Sequence, residues 1–131
     1  MADELTLHRQ NELVKVLEKQ ELGEVLRPMI REIHLFDTYV AGTTHLEDSS
    51  VLEQVREGDR LLLQREDNKF DSSAVLILTR EKKKLGYIPE KDDLIFSRLM
   101  YAGKLLAAKI GKLQKKGSFL QIGISIYLMD I

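Results

Sequence analysis

The chain contains no cysteine, which excludes disulfides, thiolate metal sites and a thiol nucleophile. No apolar run approaches the ~20 residues needed to cross a bilayer. The first residues, MADELTLHRQNEL, are acidic and polar, so no signal peptide is expected and a cytoplasmic location is the default. The phosphate-cradling pattern GxxxxGK[ST] is missing. His8, His34 and His45 show no ligand spacing with one another or with a carboxylate, and each is read as a surface residue. Asp92 and Asp93 suggest paired acids, but charge at a helix start explains them with less. Neither enzyme activity nor a cofactor or metal is expected. A nuclease remains only as a weak alternative, because the carboxylates are scattered.

The sequence also lacks internal repeats and low-complexity linkers. Its 131 residues, 44% hydrophobic, therefore read as one domain with its own core and an appendage. The near-zero net charge hides an asymmetry. Residues 1–71 carry 9 Lys and Arg against 16 Asp and Glu, a net of −7, and residues 72–131 carry 11 against 5, a net of +6. The basic half can supply a face for nucleic acid. Equally, two oppositely charged halves can attract each other within or between subunits.

Residues 1–30 read as a helical extension. Leu5, Leu13, Val16 and Leu17 form a narrow stripe, Gly23 and Pro28 interrupt the pattern, and a strand follows. Residues 31–131 read as a β domain. The first strand is expected from Arg31 to Thr44, with Gly42 at a bulge or close approach. Ser50 and Glu53 form a capping-box pattern before a short helix, with Gly58 as its left-handed cap. Leu61–Leu63 and Ala74–Leu78 are strand-length apolar runs around a polar loop, which predicts a hairpin. Both runs are continuous, which predicts cover on both faces. Leu85–Ile88 is a third short strand. Pro89 opens a helix as its first residue, whose buried face is Leu94, Ile95, Leu99, Met100 and Ala102 and which Gly103 ends. The basic Leu105–Leu113 segment and the alternating Phe119–Leu128 segment are further strands. The tally is about six strands and two or three helices, which suggests a small closed barrel.

Four short motifs occur in order: Tyr39 with Gly42, Gly58-Asp59, Asn68-x-Phe70-Asp71 followed by Ala74, and Gly86-Tyr87-Ile88-Pro89. Together, over roughly residues 34 to 120, they resemble the HIRAN domain, a module found alone in bacteria and fused to DNA-repair helicases and translocases in eukaryotes. The resemblance implies an α+β, mainly β fold: an OB-like six-stranded barrel with one or two inserted helices. It also implies a non-catalytic module that binds single-stranded DNA or DNA 3′ ends in repair or replication. Relatives of that kind hold the last nucleotides on aromatic rings while a carboxylate accepts the terminal hydroxyl.

Carried onto this chain, the resemblance makes Tyr39 and Phe70 stacking residues and Asp71 the hydroxyl acceptor. Asn68 shapes the loop or bonds the sugar-phosphate, Tyr87 lines the pocket, and Arg65, Lys69 and Lys91 contact phosphates. Plainer roles stand beside these. Tyr39 can be a core strand residue, Phe70 can plug the barrel, and Asp71 can close the loop onto backbone amides. The chain departs from the DNA-binding pattern at Thr38, where a basic residue is found, and at Val40, where a second aromatic can follow. Phe70 replaces a tyrosine and Tyr87 a histidine. The alternative is a protein-protein interaction module without DNA binding, whose N-terminal helix mediates self-association or docking to a repair or phage protein.

Overall fold

The computed structural model describes residues 30–130. The helical extension expected before Ile30 lies outside the described residues, as does Ile131. The described chain forms β1 (Arg31–Tyr39), a 3-10 turn (Thr43–His45), α1 (Val51–Gln54), β2 (Arg60–Glu66), β3 (Ala74–Leu78) and β4 (Lys84–Tyr87). It continues with α2 (Glu90–Tyr101), β5 (Leu106–Lys116) and β6 (Phe119–Asp130). No helix among the described residues is long and apolar enough to cross a membrane.

The β5–β6 hairpin is the spine. Alternation along β6 buries Ile122, Ile124 and Ile126, and turns Phe119, Gln121, Gly123, Ser125 and Tyr127 to the opposite face, as a two-residue period requires. β1 pairs with the outer side of β6 and β2 with β5, giving the antiparallel order β1-β6-β5-β2-β3-β4. The expected β2–β3 hairpin forms, in a register that runs from Leu62 opposite Leu78 to Glu66 opposite Ala74. β3 is buried throughout. β2 is not covered on both faces, because Leu62 points outward beside the buried Leu61.

The sheet is open, and the expected closed barrel does not form. β1 and β4 are its two edges, and they meet at a single bridge. Val40 still donates to the Ile122 carbonyl; one residue later, Ala41 and Tyr87 exchange two backbone hydrogen bonds of 2.8 and 2.9 Å. Gly42, with φ 79°, then turns the chain away. A ladder cannot propagate past that turn, and this also ends β1 at Tyr39 rather than Thr44. The bridge requires a very close approach, since a Cβ on Gly86 would overlap the Ala41 carbonyl oxygen and the Val40 side chain.

The α2 helix starts and stops as its sequence suggests, but it is rotated. Pro89 is its N-cap rather than its first residue. At the other end Gly103 takes φ 91°, its N–H bonds the Met100 carbonyl, and that of Lys104 bonds Leu99, the Schellman arrangement. The inward face carries Asp93, Phe96 and Ser97, so Leu94 and Ile95 are 48% and 61% exposed rather than buried. Phe96 sets that rotation, packing against Phe36 of β1 with ring centroids 5.8 Å apart.

Two expected caps are replaced. Ser50 precedes α1, but its hydroxyl bonds Asp48 rather than the helix. Gly58, at φ 90°, belongs to a turn closed by Asp59 N–H to the Arg56 carbonyl.

Replacing Gly86 with alanine forces β4 away from Val40 and Ala41. The expected cost is about 1–3 kcal/mol, as for other overpacked sites. Thermal melts measure it, and an unchanged melting temperature would contradict the close approach.

Candidate nucleic-acid interface

The β2–β3 loop is built by Asn68. Its Oδ1 accepts the backbone N–H groups of Phe70 and Asp71 at 2.9 and 2.8 Å, the local bonding by which such side chains hold a turn. Asp71 Oδ1 accepts the Ser73 N–H at 2.9 Å. The loop-closing role considered for Asp71 is therefore real. With its backbone pinned on both sides, the Phe70 ring stands 85% exposed and plugs nothing. Lys69 Nζ lies 5.2 Å from its centroid.

Asp71 faces the first turn of α2. There Asp93 is 2% exposed, and its Oδ2 has no hydrogen-bond partner among the described residues. Burial pushes its carboxyl up to about 7, reinforced by a hydrogen-bonding contact with Asp71 and by the charges of Asp71, Glu90 and Asp92. The neighbouring Asp92 Oδ2 accepts the Thr38 hydroxyl at 3.2 Å, which ties β1 to α2. Thr38, neutral where a basic residue was looked for, thus serves as a strap. On the same turn Lys91 Nζ lies 5.7 Å from the Tyr39 ring.

Tyr87 and Asn68 share one acceptor that sequence reading missed. Glu66 Oε1 accepts the Tyr87 hydroxyl at 2.8 Å and the Asn68 Nδ2 donor at 3.2 Å. Lys84 Nζ sits 4.7 Å from the Tyr87 ring. Arg65, on β2, lies against the later turns of α2, with Nε donating to Ser97 Oγ at 3.2 Å and its guanidinium 4.9 Å from the Tyr101 ring. The start of α2 thus gathers Thr38, Tyr39, Asp71 and Lys91, while the Ala41–Tyr87 bridge brings in Tyr87. Neither Glu66 nor Asp93 was read as a site residue, because the partners that bring them to this region, Tyr87 for Glu66 and Asp71 for Asp93, lie 21 and 22 residues away along the chain.

Chemically, this region combines exposed aromatic rings that have lysines beside them with carboxylates at the start of α2. It offers stacking and hydrogen-bond acceptors. A model of the HIRAN domain matches residues 33–129. The chain belongs to the HIRAN domain family. No curated protein matches it. Among solved structures it is similar to a protein from Lactobacillus plantarum, with a TM-score of 0.72 at 25% identity, covering 78% of this chain and 99% of that one. It also resembles the HIRAN domain of human HLTF, with a TM-score of 0.62 at 12% identity, over 77% of this chain and 79% of that one. The latter likeness is one of fold. HIRAN domains are known as DNA-binding modules, and the exposed ring and adjacent carboxylate of this one lie on the loop that carries its Asn-x-Phe-Asp motif.

The buried acid makes stability depend on pH. A carboxyl held at about 7 in the fold, against 3.8 as its ordinary value, stabilises the native state fully below pH 3.8. That contribution is lost as pH climbs to 7, where the fold must ionise Asp93 beside Asp71. In Asp93→Asn the dependence disappears. Its melting temperature should match that of the parent at pH 4 and exceed it by several degrees at pH 8; an equal gap at both values would contradict the assignment.

Proposed function

We propose that this HIRAN domain is a non-catalytic module that binds single-stranded DNA at free 3′ ends. The observation that carries the reading is Phe70. A large apolar ring held in solvent by a pinned backbone gains nothing for the fold, but it presents a stacking surface next to Asp71. Stacking one base on an aromatic ring is worth roughly 1–3 kcal/mol and tolerates any sequence. Tyr39, with Lys91 over its ring, supplies a second such surface, and Lys69 is placed for a phosphate.

Asp71, Glu90 and Asp92, with Asp93 beneath them, make the local field negative, and that field adds to the effect of burial on the proton affinity of Asp93. A terminal hydroxyl can donate to Asp71 there, whereas a terminal phosphate brings like charge against three carboxylates. The start of α2, which would otherwise attract an anion, is occupied by its own acids. Repair or replication of DNA is the setting in which such ends arise.

Fluorescence anisotropy with short oligonucleotides that differ only in a 3′-hydroxyl or 3′-phosphate tests the reading. Phe70→Ala should weaken binding roughly 5- to 150-fold, and Asp71→Ala should erase the preference for the hydroxyl. Equal affinity of the parent for both ends defeats end recognition.

A second reading, self-association or protein docking, draws on the outward-facing Leu94 and Ile95 beside Leu99, which line a shallow apolar depression. Ile95→Glu on the full chain should halve the mass seen by light scattering if this face joins two copies. A monomer before and after the change removes that reading.

A further inference from the structure

The outer face of β1, β6 and β5 continues away from the end site. Tyr39 lies opposite Gly123 across β1 and β6. Gly123 in turn lies opposite Lys112 across β6 and β5, followed by the pairs Gln121–Gln114 and Phe119–Lys116. All these residues point away from the Ile122–Ile124–Ile126 core, because they occupy the alternate positions of the strands. Gly123 brings no side chain to that face, so the floor between the Tyr39 ring and Lys112 is bare backbone. The groove there encloses about 260 Å³. At its far end Phe119 exposes its ring next to the turn of the hairpin. The face thus runs ring, bare floor, paired amides, ring, with a lysine beside each end.

On one flank stands Asp37, whose carboxylate accepts the Ser125 hydroxyl at 2.6 Å and bonds the His34 ring at 2.7 Å. These contacts, the Ser125 bond first, hold it below the usual carboxylate range and therefore ionised. A fixed negative charge on the β1 side, and lysines on the β5 side that form no ion pair among the described residues, leave one lane for a phosphate backbone, along Lys112 and Lys116.

We propose that this face is the upstream track for the strand whose 3′ end is held by the Asp71 loop, with bases on Tyr39 and Phe119 and phosphates on Lys112 and Lys116. The assignment rests on the end-binding reading for its direction. From Gly123 to Phe119 the strand rises about 13 Å, so the track spans roughly four nucleotides at the ~3.4 Å rise of a stacked strand, and fewer when the strand is extended. Gln114 and Gln121 offer amides to whichever base edge lies between the rings.

Anisotropy titrations of the full chain with a trinucleotide and a decanucleotide, both ending in a free 3′-hydroxyl, separate the two sites. The decamer should bind more tightly, and its affinity should fall more steeply with salt, by about 1.4 in the slope of log K against log salt for two added phosphate contacts. Lys112→Ala combined with Lys116→Ala should weaken the decamer, return its salt slope to that of the trimer and leave trimer binding unchanged. Phe119→Ala should weaken only the decamer, roughly 5- to 150-fold. Equal affinity and slope for the two lengths overturns the track, as does a lysine pair that weakens both alike. A trimer that fails to bind while the decamer still responds to the lysines overturns the end reading and supports the track. Both lysines are solvent-exposed, so the variants should melt as the parent does.

Discussion

Two backbone hydrogen bonds between Ala41 and Tyr87 hold the edges of this sheet together, and they exist because Gly86 has no side chain. Without that approach the chain leaving β1 would run on along β6. With it, the chain crosses to β4 and turns at Gly42. The same crossing settles where Tyr39 stands, since it is two residues upstream. It also puts Tyr87 next to the β2–β3 loop, where Glu66 receives both its hydroxyl and the Asn68 amide. An open sheet pinned at one point can therefore arrange a site that a fully laddered barrel would reach by closure.

The charges of the molecule are separated along the proposed path of the strand. Carboxylates collect where α2 begins and lysines line β5 out to the hairpin turn. A helix start normally draws anions, but Glu90, Asp92 and Asp93 take that role from within the chain. The negative end is suited to a hydroxyl and the positive face to a backbone of phosphates. Burying Asp93 beside Asp71 is costly for the fold above neutral pH. The contact is nevertheless compatible with a packed helix below about pH 7, where the acid keeps its proton.

The sequence was most legible where local chemistry and tertiary demand agree. The β2–β3 and β5–β6 hairpins, the Schellman end at Gly103 and the Asn68 turn all follow from short-range pattern. Reading failed where distant partners competed with local ones. Leu94 and Ile95 look inward by spacing, yet Phe96 wins the core because Phe36 waits for it across the sheet. Ser50 looks like a cap, yet Asp48 takes its hydroxyl first. Asp92 and Asp93 look alike in the sequence. One straps Thr38 at the surface, while the other is buried against a loop 22 residues earlier.

Sequence alone determined the strand content, the turn that presents Phe70 and Asp71, and the family, because periods, turn residues and ordered motifs are properties of neighbours along the chain. Only the tertiary structure decided that the sheet stays open and that Asp93 underlies Asp71. It alone placed Tyr39, Gly123, Lys112 and Phe119 on one face. Those facts depend on which strands lie side by side and at what register, and groups far apart in the chain, such as Tyr39 and Gly123, meet only once the whole sheet has formed.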